Sequence, residues 1–276
     1  MLYNYHTHCH YCDGKGKPEE FVNEAIRLNF HSFGFSSHAP IPIANNFAVK
    51  EEDLPQYVDE IRELERQYPQ LPLSCGLECD YIPQITFAFD YFRQNYHIQY
   101  IIGGVHLVAY QGQLWFIDGP EQEVYDRGLQ QIFHNDIRLA VKTYFYQLFE
   151  MIEREHFEIL AHFDKIKMHN HNRYFTEDEA WYKNYIFQTL ELVQQKGMAV
   201  EINTRGIYKK RCPDFYPSAE IIKLLYQRHI PVTVSMDAHA PEEISLGFEP
   251  ALNCIREAGY REVVGINHGK MHLISL

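Results

Sequence analysis

A chain of 276 residues with 46% hydrophobic and 14% aromatic residues is long enough for one large α/β domain, and it contains no apolar run approaching the ~20 residues that cross a bilayer. Its formal net charge of −12, from 37 acidic and 25 basic residues, argues against nucleic acid as a partner because an acidic surface repels phosphate backbones. Six irregularly spaced cysteines and an N-terminus without a signal-like segment predict reduced thiols in the cytoplasm, whereas the oligomeric state stays open.

Short apolar runs alternate with amphipathic stretches along the whole chain. In residues 54–68, for example, Leu54, Val58 and Ile61 recur at helical spacing with charged residues between them. Helices are predicted at 18–29, 54–68, 177–196 and from about 218; strands are predicted at 2–6, 32–37, 73–80, 98–106, 157–162, 198–203, 231–237 and 262–266. The alternation predicts parallel strands joined by right-handed helical crossovers, and seven or eight such units favour a closed barrel over an open sheet.

Residues 107–156 are longer and richer in aromatic residues than one connection requires. We predict that this segment is an insertion with a short hairpin around GQLWFI and two helices, and that it covers the mouth of an active site. No linker, repeat or low-complexity tract interrupts the chain, which favours a single domain over residues 1–276.

Polar side chains stand at the carboxyl end of nearly every predicted strand. They are His6, His8, His38, Glu78, Asp80, His106, His162, Asp164, Glu201, Asn203, Asp237 and His239. In a parallel barrel these strand ends converge on one face, where active sites lie. One such residue is ordinary, but a histidine or carboxylate at almost every strand end is hard to attribute to packing, so we predict an active site on this face.

Several of these residues have the spacing of metal ligands. His6 and His8 share one side of an extended chain, as do Asp237 and His239, although an exposed pair on an edge strand would look the same. Glu78 lies in a strand otherwise suited to burial, where a carboxylate is costly unless it is paired or binds a cation. Imidazoles and carboxylates without a required thiolate suit Zn, Mn or Fe in an open catalytic site.

The cysteines do not complete a structural zinc site. Cys9 and Cys12 stand beside three histidines in YHTHCHYCDG, but no matching pair follows. Cys75 and Cys79 have C-x3-C spacing, yet residues four apart on an extended strand are ~13 Å from each other and cannot share an ion. We predict that Cys9, Cys12 and His10 pack beside the site without binding metal.

The motifs HTH, SSHAP, GLECDY, GGVH, AHFD, EINT and DAH, in this order, resemble those of the polymerase and histidinol phosphatase (PHP) superfamily. The resemblance implies a distorted (β/α)7 TIM-like barrel that binds three divalent metal ions. By position it implies His6, His8, Glu78 and Asp237 for the first metal, Glu78, His106 and His162 for the second, and Asp13, His38 and His239 for the third. The position of Asp13 is a histidine in some members of the family.

Residues 201–218, EINTRGIYKKRCPDFYPS, resemble a segment of histidinol-phosphate phosphatases in which an Asn-Thr pair leads into a basic loop. A basic cluster beside a metal site in an acidic protein suits a phosphate dianion, although a solvated loop would have the same composition. The candidates for phosphate binding are Asn203, Arg205, Lys209 and Arg211, with Lys165 and Arg173 after the fifth strand.

The resemblance implies a phosphoric monoester hydrolase that converts L-histidinol phosphate to L-histidinol and phosphate in histidine biosynthesis. A hydroxide bridging two metal ions would attack phosphorus, with Glu78 bridging the ions. Asp237 would orient the water or accept its proton, and either a metal-bound water or His239 would assist the leaving group. Three alternatives stay open: a PHP phosphodiesterase or exonuclease, a PHP protein tyrosine phosphatase, and a protein that binds metal without catalysis. Mixed imidazole and carboxylate ligands leave the choice among zinc, manganese and iron open.

Overall fold

The structure, a computed structural model, describes residues 1–276. In chain order the elements are β1 (Leu2–Asn4), α1 (Pro18–Arg27), β2 (Phe30–Phe35), α2 (Leu54–Gln67), β3 (Leu73–Asp80), α3 (Phe89–Tyr96), β4 (Tyr100–Gly104), β5 (Leu107–Tyr110), β6 (Gln113–Phe116), α4 (Gln122–Phe133), α5 (Ile137–Arg154), β7 (Ile159–Leu160), α6 (Ala180–Lys196), β8 (Ala199–Asn203), α7 (Arg205–Tyr208), α8 (Ala219–Gln227), β9 (Val232–Ser235), α9 (Phe248–Ala258), β10 (Glu262–Asn267) and β11 (Lys270–Ser275). None of the helices combines the length and the apolar character that a membrane span requires.

Seven parallel strands form a nearly closed barrel in the order β1-β2-β3-β4-β7-β8-β9. The barrel closes just beyond β1 and β9, where the Ala238 N–H donates to the His6 carbonyl (3.1 Å) and the His8 N–H donates to the Ala238 carbonyl (2.7 Å). The closing contacts therefore involve the segments that carry predicted metal ligands. The predicted fold class, a distorted (β/α)7 TIM-like barrel, is confirmed.

Tyr100 of β4 ties three strands together inside the barrel. Its hydroxyl lies 2.6 Å from the carbonyl oxygen of Tyr5 and 2.9 Å from that of Phe35. Gly34 and Gly76 leave room for this ring, because a Cβ at either position would lie 2.5 Å from the Tyr100 side chain. The strand β3 is buried along its whole length, so the backbone that carries Glu78 is held on both faces.

The helices pack an apolar face against the barrel, as their periodicity predicts. The buried face of α2 consists of Leu54, Tyr57, Val58, Ile61 and Leu64. Full burial of one large apolar side chain stabilises a fold by about 1.5–3 kcal/mol, so this face contributes strongly to the attachment of α2. In α6 the helix begins at Ala180 rather than at residue 177, because the Glu179 carboxylate accepts the Thr176 N–H (3.1 Å) in the turn before it.

The segment after β4 contains a hairpin, β5 with β6, followed by α4 and α5. Trp115 of β6 is buried, and its indole N–H donates to the Tyr125 carbonyl of α4 (3.0 Å). The Gln147 amide of α5 donates to the carbonyls of Tyr81 (2.5 Å) and Leu107 (2.8 Å). The contact with Tyr81 fastens the inserted segment to the carboxyl end of β3, on the face where the ligands are predicted, and the contact with Leu107 joins α5 to the hairpin.

The last predicted strand does not belong to the barrel. Strand β10 pairs antiparallel with β11, and at their turn a Cβ on Gly269 would lie 2.3 Å from the carbonyl oxygen of Gln99, the residue before β4. This hairpin therefore lies at the amino end of the barrel, opposite the ligand face. A short apolar run predicts a strand but not its pairing partner, which explains why the sequence left seven or eight barrel units open. The fifth barrel strand is also shorter than predicted, since 157–162 reduces to Ile159–Leu160.

Candidate metal centre and cavity

The first group of candidate ligands meets at one oxygen of the Glu78 carboxylate. Glu78 Oε2 lies 3.2 Å from His6 Nε2 and 3.4 Å from His8 Nε2. The Asp237 Oδ1 atom lies 3.9 Å from His6 Nε2 and 3.5 Å from His8 Nε2. All four side chains are buried, and the two histidines project to the same side of the chain, as their two-residue spacing predicts.

The second group meets at the other oxygen of Glu78. The Oε1 atom lies 3.3 Å from His106 Nε2 and 3.0 Å from His162 Nε2. The two histidines stand just beyond β4 and β7, which are neighbours in the barrel. One carboxylate therefore faces two separate sets of imidazoles, which is the arrangement that a carboxylate bridging two cations needs.

The third group is formed by Asp13, His38 and His239. Asp13 Oδ1 lies 3.4 Å from His239 Nε2 and 3.9 Å from His38 Nε2. The loop that carries Asp13 folds back tightly on the end of β1, because a Cβ on Gly14 would lie 2.4 Å from the backbone of His8. The structure thus brings together all three residues of the set that the resemblance implies.

Unpartnered nitrogen atoms show that these groups fit metal ions. The Nε2 atoms of His6 and His8 are buried and have no hydrogen-bond partner, although each points toward carboxylate oxygens. An unsatisfied buried polar group costs about 1–3 kcal/mol, so such atoms are rare in protein interiors. A divalent cation among these nitrogens and oxygens would satisfy both, and the donor set suits Zn, Mn or Fe.

The electrostatics of the cluster also favour a cation. Burial alone would raise the pKa of Glu78, but nearby histidines hold this pKa well below its usual range. Burial alone would lower the pKa of His6, but the carboxylates of Glu201, Glu78 and Asp237 outweigh it and raise the pKa to about 9. Protons and metal ions compete for the same imidazole nitrogens. The carboxylates that favour a proton on His6 would therefore also favour a metal ion, which would neutralise their negative charge.

Glu201 of β8 supports the ligands from behind. Its Oε2 atom lies 2.7 Å from His6 Nδ1 and accepts the Ser235 hydroxyl (2.5 Å). Its Oε1 atom accepts the backbone N–H of His162 (2.8 Å). A carboxylate in this position fixes the tautomer and the ring orientation of a metal-binding histidine. The histidine that faces Glu78 is thus oriented by a second carboxylate on the other side of its ring.

A cavity of about 630 Å³ opens over the three groups, and only three of its 19 lining residues are hydrophobic. Besides candidate ligands, the walls contain Lys15, Phe47, Phe116, Asp118, Gly119, Pro120, Lys165, Arg205, Lys209, Arg211, Ala240, Glu242 and Glu243. Phe116 is the last residue of β6 in the inserted hairpin, so the insertion forms part of the cavity wall. The lining includes five lysine and arginine side chains, which can bind an anion, together with six carboxylates.

Four of the predicted phosphate-binding residues line this cavity: Lys165, Arg205, Lys209 and Arg211. The buried Lys165 ammonium lies 2.9 Å from Asp118 Oδ2 and 3.6 Å from Asp237 Oδ2. The Arg205 guanidinium donates to the backbone carbonyl of Asp237 (2.5 Å). Both cations are therefore held beside the first ligand group.

Arg173 and Asn203, which were also predicted to bind phosphate, do not line the cavity. The Arg173 guanidinium donates two hydrogen bonds to the carboxylate of Asp126 on α4 (2.7 and 2.9 Å). The Asn203 amide donates to Glu201 Oε1 (3.0 Å) and to Asp237 Oδ2 (3.3 Å). Internal contacts occupy both side chains in this structure: Arg173 secures a loop and Asn203 braces the carboxylates behind the ligands.

Three acidic wall residues, Asp118, Glu242 and Glu243, were missed by the sequence analysis, and the first and last of them contact candidate ligands. Asp118 follows β6, and its Oδ2 atom lies 3.8 Å from His106 Nε2. Glu243 follows β9, accepts the His239 backbone N–H (2.9 Å) and forms an ion pair with Lys209. Neither residue stands at the end of a barrel strand, so the pattern that identified the ligands could not identify them. The only local signal was the pair of turn residues, Gly-Pro, directly after Asp118.

Comparison with known families agrees with this architecture. A family model described as "PHP domain" matches residues 4–205. The matched range covers most of the barrel and nearly all of the candidate ligands. The chain therefore belongs to the PHP family.

Individual relatives are similar over almost the full chain. A protein of Deinococcus radiodurans named "Probable histidinol-phosphatase" is 28% identical over 273 residues, covering 96% of each sequence. The "Histidinol-phosphatase" of Bacillus subtilis is 21% identical, covering 90% of this chain and 97% of its own. The crystal structure of histidinol phosphate phosphatase from Lactococcus lactis subsp. lactis, complexed with zinc, L-histidinol and phosphate, has a TM-score of 0.72 at 20% identity and covers 98% of both chains. This structural similarity supports the barrel fold.

Proposed function

We propose that this protein is a metal-dependent phosphomonoesterase that hydrolyses L-histidinol phosphate to L-histidinol and phosphate, in the cytoplasm, as part of histidine biosynthesis. The observation that carries the proposal is the position of Glu78: its Oε2 atom faces His6, His8 and His38, and its Oε1 atom faces His106 and His162, beneath a cavity whose walls include five lysine and arginine side chains. Relatives named histidinol-phosphatase along nearly the whole chain support the choice of substrate. We assign the activity to one barrel domain formed by residues 1–276.

The three ligand groups would hold three divalent cations. His6, His8, Glu78 and Asp237 would hold the first, Glu78, His106 and His162 the second, and Asp13, His38 and His239 the third. When bound, such cations supply Lewis acidity, lowering the pKa of a water molecule and neutralising charge on phosphoryl oxygens. The buried ion pairs and hydrogen bonds around Glu78 and Glu201 hold the donor atoms in place for this purpose.

Basic residues of the cavity bind the phosphate in this proposal. Lys165 and Arg205 stand beside Asp237, and Lys209 and Arg211 add positive charge farther out on the same wall. Fixed cations of this kind stabilise the negative charge on phosphoryl oxygens as it redistributes in the transition state. Because Lys165 is buried and already oriented by two carboxylates, it needs little reorganisation when the phosphate arrives.

Asp237 and His239 take different roles. Asp237 directs Oδ1 toward His8 and receives the Asn203 amide at Oδ2, so its carboxylate is oriented to position an attacking water and to hold its proton. His239 Nδ1 lies 3.0 Å from the Asp237 carbonyl oxygen, and its Nε2 faces Asp13. Because Nδ1 faces the Asp237 carbonyl and Nε2 faces the third ligand group, we assign His239 as a metal ligand rather than as the acid for the leaving group.

Complementation of a strain that lacks histidinol-phosphate phosphatase tests the proposed substrate. We expect the protein to restore growth without histidine, and the Glu78→Gln variant to fail at equal expression. Purified, metal-loaded protein should hydrolyse L-histidinol phosphate in preference to a single-stranded oligonucleotide, bis-p-nitrophenyl phosphate or a phosphotyrosine peptide.

The other outcomes assign the protein to its rivals. No growth together with faster hydrolysis of the oligonucleotide or the diester would indicate a phosphodiesterase or exonuclease, and preference for the peptide would indicate a protein tyrosine phosphatase. Metal binding without hydrolysis of any of these esters would indicate a metal-binding protein without catalysis.

A further inference from the structure

Asp118 is a buried carboxylate in the cavity wall with one unused oxygen. Its side chain is only 7% exposed, and its Oδ2 atom forms an ion pair with the Lys165 ammonium at 2.9 Å. Its Oδ1 atom is buried and has no hydrogen-bond partner. A buried acceptor without a donor is unfavourable, so this oxygen points to a donor that arrives with the ligand.

Contacts on both sides hold Asp118 at this position. The N–H of the preceding residue, Ile117, donates to the carbonyl of His106 (3.1 Å). The carbonyl oxygen of the following residue, Gly119, lies 2.8 Å from the Nε2 atom of the buried His169. The backbone of the turn is therefore fixed, and the carboxylate is a rigid part of the wall.

The charges around Asp118 separate two parts of a substrate. Lys165 lies between the carboxylates of Asp118 and Asp237, 2.9 Å from the first and 3.6 Å from the second. Asp237 belongs to the first ligand group, where a phosphoryl group would react, whereas Asp118 lines the cavity beside His106 of the second group, with Oδ2 3.8 Å from His106 Nε2. An anionic phosphate near Lys165 and a cationic group against Asp118 would complement these charges.

We propose that Asp118 binds the ammonium group of the substrate through Oδ1, and that it thereby selects an amino-alcohol phosphate over a phosphate ester without an amine. This inference rests on the proposed function and adds a specificity residue to it. In L-histidinol phosphate the ammonium stands on the carbon next to the esterified CH₂ group, so it must lie close to the phosphate. An ester without the amine leaves Asp118 Oδ1 unpaired and shielded from water, which weakens its binding.

The test compares L-histidinol phosphate with 3-(imidazol-4-yl)propyl phosphate, which lacks only the ammonium group. The wild type, Asp118→Asn and Asp164→Asn are assayed with both esters after metal loading. Asparagine keeps the size of Asp118 and an oxygen for Lys165 but removes the charge. Asp164 provides a matched control because it is a buried carboxylate paired with a buried lysine, Lys167 (2.7 Å), and it does not line the cavity.

We expect the wild type to prefer L-histidinol phosphate by at least about 30-fold in kcat/KM, the lower range for a buried charged contact. Asp118→Asn should reduce this preference to within about 3-fold, mainly by raising KM for L-histidinol phosphate, whereas Asp164→Asn should retain it even if both rates fall. Retention of the preference in Asp118→Asn, or its loss in both variants, would overturn the inference.

The wild type alone provides a second test that does not depend on the folding of a variant. Equal kcat/KM for the two esters in the wild type overturns the role of Asp118 and leaves the proposed phosphatase activity intact. Failure to hydrolyse either ester contradicts the proposed function itself. The two failures are therefore distinguishable.

Discussion

The ligand groups and the cavity wall are built by different parts of the chain. The candidate ligands stand mostly on or directly after barrel strands, and their free nitrogen and oxygen atoms point toward common centres. The wall residues lie on the connections, as Asp118 and Glu243 do, and several of their charges are paired with one another. If the proposed function holds, the barrel strands would determine the reaction and the connections would determine which ester is accepted. Substitutions at the two places should therefore differ in their kinetic effects.

The largest effect is expected from Glu78→Gln, because Glu78 belongs to the ligand groups on the barrel strands. The amide cannot supply two anionic oxygens to the two sets of imidazoles around Glu78, so we expect kcat/KM to fall by about 10³-fold or more for every phosphate ester. Elemental analysis should show less bound metal per protein. Unchanged activity at saturating metal would contradict a bridging role for Glu78.

Asp13→Ala should have the next largest effect, because Asp13 is a candidate ligand that lies in a loop rather than on a strand. We expect loss of one metal equivalent and a decrease in kcat/KM of about 10- to 100-fold, the scale of losing a group that positions a metal. Asp13→His should recover metal content, since imidazole is an equivalent donor. Full metal content in Asp13→Ala would show that this loop does not bind metal.

Two arginines test whether a position in the cavity wall affects activity. Arg205 lines the cavity, whereas Arg173 is paired with Asp126 outside it. We expect Arg205→Gln to lower kcat/KM about 10- to 100-fold, mainly through KM, because a charged hydrogen bond contributes about 1.5–3 kcal/mol. Arg173→Gln should change it by less than about 2-fold. Equal effects of the two variants in steady-state assays would show that lining the cavity gives Arg205 no special role in activity.

The smallest effect on activity is expected at the opposite, amino end of the barrel. Glu158 precedes β7, accepts the Ile101 N–H (2.8 Å) and pairs with Arg93 (2.7 Å). Glu158→Gln should lower the free energy of unfolding by about 1–3 kcal/mol, because charged hydrogen bonds are weakened. Its kcat/KM per folded molecule should stay within about 2-fold of the wild type. Urea denaturation and steady-state assays check the two halves of this prediction, and a selective loss of turnover would contradict it.

The positions of most ligands were predictable because they depend on local rules. Alternation along a strand places His6 and His8 on one side, and the carboxyl ends of parallel strands share one face of a barrel. The same rules predicted β3 over residues 73–80, as observed. A carboxylate such as Glu78 in a buried strand was itself the signal, since burial of an unpaired charge is costly.

The wall residues were harder to predict because their positions depend on how connections fold. Arg173 and Arg205 look alike in the sequence, and both follow a barrel strand, but only the tertiary structure shows that Asp126 of α4 captures the first. Asp118 reaches the cavity through the inserted hairpin, whose direction depends on contacts such as those of Gln147. Long-range contacts of this kind leave no periodic signal along the chain.

The sequence by itself indicated the parallel barrel and the face that bears the site, because hydrophobic periodicity and strand-end chemistry are local properties, and its resemblance to the PHP superfamily implied which residues would bind metal. Only the tertiary structure decided which oxygen of Glu78 faces which histidines, that β10 and β11 pair outside the barrel, and which charged wall residues are free to meet a substrate. These features arise when residues far apart in the chain come into contact. Such a contact decides whether a charged side chain is paired within the fold or is left to bind a ligand.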